Sequence, residues 1–437
     1  MNAKKIVLVL LVVSAVFVAG CIDGEPEPDE PGVDDGFDDT EPDETGIDAV
    51  DGDGFEAETV AEGLEHPWGI AFLQQSDSGV DDRMLVTERE GALVVVHRED
   101  GTVETVDGTP DVYAQGQGGM LDVTLHPDYP DEGWVYLTYS ASNDDGESAT
   151  HLGRGELVLD GEGDESGGNS EEGGDDGGGG DGDAPRIDGF EVLHIAEPFV
   201  DSNGHFGSRV VFGDDGMVYM TTGDRQFKDF GPDHVSQDTT NELGATLRLT
   251  PEGEIPEDNP FVDDEEFEDA IYSYGHRNAQ GMTVHPETGE LWQSEHGERD
   301  GDEINIVKEG GNHGWPLVHY GCEYGTDVPV GELPHERDDT VDPVYYWECG
   351  TGGFPPSGAT FYDGDAFPDW QGDLFVGNLA GQYLGQFEVN GTDVEETEPL
   401  LEDAGWRVRA VEDAPDTGHL YVLVDDSDAP VVRLVPE

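Results

Sequence analysis

Basic residues are scarce in this chain. Of its 437 residues, 18 are Lys or Arg while 102 are Asp or Glu, so the formal net charge at pH 7 is -84. A surface of this sign repels nucleic acid and anionic membrane surfaces, which excludes both as direct partners. The acidic residues are spread along the whole chain and resemble the solvating surface of proteins from salt-adapted cells, where salt screens self-repulsion. The same self-repulsion predicts a monomer.

Cysteine is nearly absent, with three residues in total. No group of His and Cys has the spacing of zinc ligands, which argues against a zinc site. Apart from Cys21, the thiols are Cys322 and Cys349, in the segments YGCEY and WECGTG. In an exported protein these two are candidates for a disulfide between the two loops.

Long apolar runs are limited to residues 6–18, which follow Lys4 and Lys5. The run is too short for a comfortable transmembrane span and predicts a secretory signal peptide over residues 1–20. The sequence VAGC resembles a lipobox, in which cleavage before Cys21 leaves that residue with the lipid anchor; a plain signal peptide or an uncleaved anchor is the alternative. We therefore expect a protein exported to the cell surface and attached to the membrane through Cys21.

Two stretches have almost no apolar content and cannot bury enough surface to offset chain entropy. Residues 21–54 consist largely of Asp, Glu, Pro and Gly and predict a disordered acidic tether. Residues 161–185 are dominated by Gly, Asp and Glu between two strand-like segments, and predict a disordered loop insertion. One folded unit remains, residues 55–437.

No convincing amphipathic helix occurs in this unit. Short β-rich runs recur between Gly, Asp and Pro turns, for example MLVTE, WVYLTYS, MVYMTTG and LYVLVDD. Six segments repeat the order strand, turn, strand, among them VFGDDGMVYMTTG and TVHPETGELWQSEHG. These copies predict an all-β fold, a six-bladed β-propeller, whose loops converge on the central axis and bring distant residues into one cleft. We interpret the tryptophans as blade core, namely Trp68, Trp134, Trp292, Trp315 and Trp347.

A candidate catalytic pair lies in the segments NGHFGSRVVF and MTTGDRQF, which place His205 and Asp224 at the ends of two adjacent apolar runs. A carboxylate against an imidazole fixes its tautomer and stabilises the imidazolium, which is the usual construction of a general base. Arg277 follows in SYGHRNAQG and is suited to stabilise developing negative charge. These residues predict a site that takes a proton from a substrate.

The order of the motifs resembles a known family. HPWGIAF, QGQGGMLDVTLHPDY, NGHFGSRVVF, TTGDR, SYGHRNAQGMTVHPETGELWQSEHG, GGNHGWP and PPSGATFY are similar to segments of the soluble aldose sugar dehydrogenases of the glucose and sorbosone dehydrogenase family. The resemblance covers nearly all of residues 58–436 outside the insertion. It implies a six-bladed propeller that uses pyrroloquinoline quinone (PQQ) and calcium to oxidise the anomeric carbon of an aldose to its lactone. Hydride would pass to the quinone, and electrons then to an external acceptor.

The resemblance also implies residue roles. His205 matches the base, Asp224 its carboxylate partner, and Gln117 the glutamine that holds the substrate hydroxyl. Arg277 and Asn278 match a pair that contacts the cofactor. Further cofactor-binding segments of the family match Ser357, Gly358, Ala359, Arg407, Val408 and Arg409.

Arg407 and Arg409 alternate along a strand-like segment, so both side chains would lie on one face. In that position they could bind a carboxylate of the tricarboxylate cofactor or the quinone rim. The alternative is a surface arginine pair on an edge strand.

Calcium suits a chain rich in oxygen ligands. In the family, the carbonyls just after the EHG motif hold the calcium, and these are Gly297 and Glu298 here. Glu298 replaces the usual Pro, although a carbonyl contact would survive this change. A further structural calcium resembles one near Glu303 and His313, where His313 replaces Tyr; a solvated acidic turn is the alternative there.

Two other functions compete with the dehydrogenase. One is a propeller kept as a binding module without redox chemistry, against which the combination of His205, Asp224, Gln117 and Arg277 with the arginine pair argues. The other is a calcium-dependent lactonase, which builds its metal centre from side-chain carboxylates and Asn on the axis. Such a hydrolase would not need an arginine cluster for a tricarboxylate.

Overall fold

The computed structural model describes residues 51–52, 54–74, 80–159 and 184–437. The predicted signal peptide with Cys21, most of the predicted tether and nearly all of the predicted insertion lie outside the described residues. Within the described part of the chain, no helix is long and apolar enough to cross a membrane.

The described residues form six antiparallel sheets, each one blade of a propeller. Blade 1 comprises β3 Pro67–Gln74, β4 Val80–Glu88, β5 Leu93–His97 and β6 Val103–Thr105. Blade 2 comprises β7 Met120–Leu125, β8 Trp134–Ser142, β9 Ser148–Val158 and β10 Arg186–Ile195. Blade 3 comprises β11 Val210–Phe212, β12 Val218–Thr221, β13 Ala245–Leu249 and β14 Ile271–Tyr274. Blade 4 comprises β15 Ala279–Val284, β16 Leu291–Glu295, β17 Glu303–Ile306 and β18 Tyr345–Tyr346. Blade 5 comprises β19 Pro356–Phe361, β20 Leu374–Asn378, β21 Tyr383–Asn390 and β22 Asp393–Glu396.

Blade 6 joins the two ends of the folded unit. Its strands are β23 Val408–Asp413, β24 Leu420–Val424, β25 Ala429–Pro436, β2 Phe55–Leu64 and β1 Asp51–Gly52. Among the described residues, the remaining regular structure is four short 3₁₀ turns, at Val235–Gln237, Pro334–Glu336, Pro368–Trp370 and Glu402–Ala404. The predicted six-bladed β-propeller is therefore confirmed.

The core lies between the blades. The first strands of neighbouring blades, β3, β7, β11, β15, β19 and β23, contact one another in a closed ring. A separate apolar cluster fills each of the six gaps between adjacent blades. Between blades 1 and 6, for example, Phe72 packs edge-on against Tyr421, with ring centroids 5.0 Å apart. Each blade is thus stabilised on both faces by its neighbours, because its β-branched and aromatic side chains are buried against them.

The strand β2, from the N-terminal end of the folded unit, completes blade 6 and so closes the ring of blades. It pairs with β25 in a register that runs from Phe55 opposite Pro436 to Leu64 opposite Ala429. The last blade therefore contains both ends of the folded unit, and the pairing removes what would be an open edge on β25.

The central channel has two chemically different ends. A cavity of about 740 Å³ opens at the carboxyl ends of the six first strands, where Phe361, Glu412 and Asp413 are among its lining residues. Burial, together with the neighbouring Asp413, raises the pKa of Glu412 to about 8. The cavity lining does not include His205, Asp224 or Arg277, which belong to the opposite, amino-terminal end of the same strands.

Phe55→Ala tests the closing role of β2. Phe55 is buried and packs edge-on against Trp370, with ring centroids 6.1 Å apart. Loss of a buried phenyl ring leaves a cavity, so we expect the free energy of unfolding to fall by about 3–5 kcal/mol. Urea titration at constant high salt measures the change. Phe227→Ala is the matched control, because Phe227 is exposed and its loss is expected to cost about 0.5 kcal/mol; equal losses in the two variants would contradict the closing role.

Candidate active site

The residues predicted from the sequence meet at the amino-terminal end of the first strands. Gln117 lies just before β7, His205 before β11, and Arg277 and Asn278 directly before β15. Ser357, Gly358 and Ala359 lie on β19, Arg407 immediately precedes β23, and Val408 and Arg409 begin it. Because these strands form the inner ring, five different blades contribute to one site.

His205 and Asp224 form a buried hydrogen-bonded pair. His205 Nδ1 lies 2.6 Å from Asp224 Oδ1, and both side chains are buried. Asp224 also accepts the backbone N–H of Gln226 at 2.9 Å and, through Oδ2, the indole N–H of Trp315 at 2.9 Å. With Asp224 as the acceptor, Nδ1 of His205 carries the proton and Nε2 is the basic nitrogen.

The backbone around His205 is held in an uncommon conformation. His205 has a φ of 47°, in the left-handed region, and its N–H donates to Gln117 Oε1 at 2.7 Å. Its carbonyl oxygen occupies the place that a Cβ at position 223 would need, so Gly223 permits the close approach of the two segments. A non-glycine residue in this region costs free energy, which the surrounding contacts offset, as is frequent at functional sites.

Electrostatics keep His205 neutral and Asp224 ionised. Burial lowers the pKa of His205 below 6.5, and the positive charge of Arg277 lowers it further, against the opposing effect of Asp224. Burial acts to raise the pKa of Asp224, but His205 and Arg277 outweigh it and bring the value to about 2. At neutral pH the pair is therefore a neutral imidazole supported by a carboxylate, the form that can accept a proton.

Arg277 presents donors beside this pair. Its Nη2 donates to Glu298 Oε2 at 2.7 Å and its Nη1 to the carbonyl of His296 at 3.4 Å, while its Nε has no hydrogen-bond partner among the described residues. Its guanidinium carbon lies 5.3 Å from the centroid of Trp315. Asn278 accepts the N–H of Gly207 at 3.1 Å, which links it to the segment of His205.

Arg409 lies at the axis. Its guanidinium donates to Gln280 Oε1 at 2.8 Å, Ser357 Oγ at 3.3 Å and Asp425 Oδ2 at 2.5 Å, while its Nε has no partner in the described part of the chain. Arg407 Nη2 lies 3.5 Å from the same Asp425 oxygen. Arg409 is buried, so the alternative of a surface pair on an edge strand is wrong.

The residues of the two predicted metal sites lie in one region of blade 4. Glu298 directs its carboxylate to Arg277, and Gly297 donates its N–H to Asp302 Oδ1 at 2.9 Å. Glu303 accepts Asn305 Nδ2 at 3.2 Å, and His313 Nδ1 lies 3.4 Å from Asn305 Oδ1. Among the described ranges, no group of three or more His, Cys, Asp or Glu side chains could hold a metal ion.

Burial governs the charge of the second predicted calcium site. It raises the pKa of Glu303 well above its usual value, with Glu295 adding to the effect. It also lowers the pKa of His313 well below 6.5, and His276, whose ring stacks on that of His313 at 4.4 Å, adds to this lowering. Burial therefore favours the neutral form of both groups in the absence of a bound cation.

Several site residues were not found from the sequence. Trp315, interpreted as blade core, instead supports Asp224 by a hydrogen bond; its place in GGNHGWP was the available signal. His296, in the EHG motif, has an Nε2 without a hydrogen-bond partner among the described residues. Burial lowers its pKa well below 6.5, and the nearby Arg277, His205 and Arg409 lower it further, which places His296 among these three. The disulfide between Cys322 and Cys349, by contrast, was predicted from the sequence, and it is present between the two loops of blade 4.

Comparisons with known proteins agree with this geometry. The family model described as Glucose / Sorbosone dehydrogenase matches residues 64–433. The chain is 36% identical over 382 residues to the protein named aldose sugar dehydrogenase YliI of Escherichia coli, covering 87% of this chain and 92% of that protein. The crystal structure of the soluble aldose sugar dehydrogenase of Escherichia coli in the apo form superimposes with a TM-score of 0.75 at 36% identity, covering 88% of this chain and 100% of that one. The PQQ-bound aldose sugar dehydrogenase of Streptomyces coelicolor superimposes with a TM-score of 0.64 at 27% identity, covering 87% and 97% of the two chains.

The charge state of His205 can be measured without any ligand. Burial and Arg277 both disfavour the imidazolium, so we expect NMR titration of histidine-labelled protein to give His205 a pKa below 6.5. Asp224→Asn removes the group that opposes these effects, so the pKa should fall further. An unchanged or higher pKa in Asp224→Asn would contradict the electrostatic description, and His97, which lies outside the site on β5, serves as the internal reference.

Proposed function

The chain belongs to the glucose / sorbosone dehydrogenase family, and we propose that it oxidises the anomeric carbon of an aldose to the corresponding lactone, with PQQ and calcium. It is an oxidoreductase that acts on sugars. The observation that carries the proposal is the buried His205–Asp224 pair, which lies beside the Nε donors of Arg277 and Arg409, both without a hydrogen-bond partner among the described residues. A general base beside a cluster of unused donors suits removal of a hydroxyl proton next to an anionic electron acceptor.

The residues present fit PQQ. Arg277 Nε and Arg409 Nε are buried and lack partners among the described residues, and buried donors of this kind normally have an acceptor. PQQ carries three carboxylates and quinone oxygens, which are acceptors for such donors. Arg277, Asn278, Arg407 and Arg409 would hold it together with the segment of Ser357, Gly358 and Ala359. When bound, PQQ supplies a two-electron acceptor for hydride.

His205 is proposed to take the proton of the anomeric hydroxyl on Nε2. Asp224 holds the imidazole by Nδ1 and stabilises the imidazolium that forms, while Trp315 and the Gln226 N–H keep Asp224 oriented. Gln117, fixed by the N–H of His205, would position the same hydroxyl. Arg277 would stabilise negative charge that develops opposite the base. Burial of these groups limits competition from water.

Calcium is proposed to bind the backbone carbonyls of Gly297 and Glu298. The turn that carries them is fixed by Asp302, which accepts the N–H of Gly297 at 2.9 Å and that of Phe354 at 2.7 Å. Carbonyl oxygens in a fixed turn are suitable ligands for a hard cation. Glu303 and His313 remain a proposed structural site, in which a bound cation would favour the ionised form of Glu303.

The competing functions are less consistent with the axis. A lactonase would require free carboxylates beside the candidate site, whereas Asp425 there is paired with Arg409 at 2.5 Å. A binding module without chemistry would not need a neutral imidazole held by an ionised carboxylate. We further propose that the protein is exported and attached to the cell surface through Cys21, and that an external acceptor reoxidises the cofactor.

Reconstitution tests the function directly. Full-length protein is titrated with PQQ and calcium in high salt, and dye reduction is followed with a panel of aldoses. We expect sugar-dependent reduction that requires both additions and is lost with a calcium chelator. PQQ binding without turnover of any aldose would contradict the proposed substrate class, and absence of PQQ binding would contradict the cofactor.

His205→Ala tests the base. We expect kcat to fall by about 10²–10⁴-fold, the usual contribution of a positioned base, while the Kd for PQQ changes less than about threefold. His97→Ala, on β5 away from the site, is the matched control and should retain activity. Substantial turnover by His205→Ala would remove this residue from the role of base.

A further inference from the structure

One carboxylate at the site is shared by two cations. Glu298 Oε2 accepts Arg277 Nη2 at 2.7 Å and Lys228 Nζ at 2.8 Å, and its Oε1 accepts Lys228 at 2.7 Å. The Glu298 side chain is 3% exposed and that of Lys228 is 39% exposed. A buried carboxylate with two cationic partners is fully neutralised, and one of the two positive charges remains in excess.

This arrangement matters because Glu298 faces the guanidinium that the proposed cofactor would approach. A lone Glu298 would cancel the charge of Arg277 and repel an anionic ligand. We propose that Lys228 is a charge-compensating positioning residue, which neutralises Glu298 so that Arg277 keeps its charge for the tricarboxylate. The inference rests on the proposed function, since it concerns affinity for PQQ.

Lys228 lies in a loop that is fixed by hydrogen bonds to the segments of His205 and Asp224. Lys228 follows Arg225 and Gln226, which have φ values of 55° and 64°. The Arg225 guanidinium donates to the carbonyls of Gly204, Ser148 and Ser202 at 2.9, 2.8 and 2.6 Å. The N–H of Gln226 donates to Asp224. The loop is thus fixed to the segment of His205, and its position brings the ammonium group to Glu298.

Two aromatic rings lie near the ammonium group of Lys228. Lys228 Nζ lies 5.4 Å from the ring centroid of Tyr324 and 5.7 Å from that of Phe230, within the range of cation–π attraction. The Glu298 carboxylate of this ion pair is buried, which limits screening by salt. The interaction should therefore persist at the high ionic strength to which the acidic surface is suited.

Glu298 also fixes one edge of Arg277. With Nη2 bound to Glu298, the Nε edge of the guanidinium has no partner among the described residues and is available to a ligand. Lys228 therefore acts through Glu298 and need not touch the ligand. This distinction separates charge compensation from direct binding, and it can be measured.

The test is a binding titration of a double-mutant cycle without sugar. PQQ is added to wild type, Lys228→Met, Glu298→Gln and the double variant at constant calcium and high salt, and quenching of tryptophan fluorescence gives Kd. We expect Lys228→Met to bind at least about tenfold more weakly, Glu298→Gln to bind as tightly as wild type or more tightly, and the double variant to lie within about threefold of wild type. Recovery in the double variant is the signature of compensation.

Two further variants control for folding and for charge in general. Lys228→Arg keeps the charge and should bind within about threefold of wild type, which keeps the test valid if Lys228→Met is unstable. Lys308→Met removes a lysine from an exposed ion pair with Glu290, 3.1 Å long, and should leave Kd within about twofold of wild type.

The outcomes separate the two proposals. If wild type binds PQQ and Lys228→Met binds equally well, the inference is overturned while the proposed function stands. If the double variant binds as weakly as Lys228→Met, Lys228 contacts the ligand directly and compensation is wrong. Failure of wild type to bind PQQ would overturn the proposed function and this inference together.

Discussion

A belt of buried polar side chains links all six blades at the axis, and the site depends on it. Asp122 of blade 2 binds Arg209 of blade 3 at 2.8 Å, and Arg209 donates to the carbonyl of Gln280 in blade 4 at 3.0 Å. Arg409 of blade 6 then bonds Gln280, Ser357 of blade 5 and Asp425. Asp425 is also 2.9 Å from His66, which directly precedes blade 1. Charged groups so deeply buried are stable only as a complete network, so the belt fixes the angular positions of the blades as well as their charges.

The belt also explains how an extremely acidic protein can contain a site suited to an anion. Of the 18 basic residues, all but Lys4 and Lys5 lie in the described ranges, and five of these 16 lie near the axis, namely Arg89, Arg209, Arg277, Arg407 and Arg409. Arg225 and Lys228 lie in the loop after Asp224. Most carboxylates of the described residues are at least partly exposed to solvent, where salt screens them within about 10 Å or less. Inside the channel the dielectric constant is lower and screening is weaker, so a few arginines dominate the local potential. Net charge therefore says little about the sign of the site.

The sequence predicted the blades well because their signal is local. Period-two alternation and Gly, Asp and Pro turns occur within each strand pair, and the repeat of strand, turn and strand identified six blades. His205 and Asp224 were also accessible, since they are 19 residues apart and each belongs to a motif. Trp315 is 91 residues from its partner Asp224, and Arg409 is 129 residues from Gln280. No periodicity relates positions on different blades, so which side chains meet at the axis follows from ring closure, a property of the whole chain. Glu298 shows what the sequence could not predict. The sequence identified it only as an unusual residue at a position where the backbone carbonyl was expected to bind calcium. In the structure its side-chain carboxylate binds Arg277 and Lys228.

Asp224 connects the two functions proposed for the site, proton removal and anion binding. Its carboxylate holds the imidazole of His205 and accepts the N–H of Gln226, the residue that begins the turn toward Lys228. The support of the base and the neutralisation of Glu298 therefore depend on one short loop, which Arg225 anchors to blade 2. A displacement of this loop would alter the orientation of the base and the charge near Arg277 at the same time. Left-handed backbone at His205, Arg225 and Gln226 is the conformational cost of the arrangement, and such strain persists where surrounding contacts determine the structure fully. The proposed proton removal and the proposed anion binding would thus be coupled through geometry, because the same buried contacts fix both.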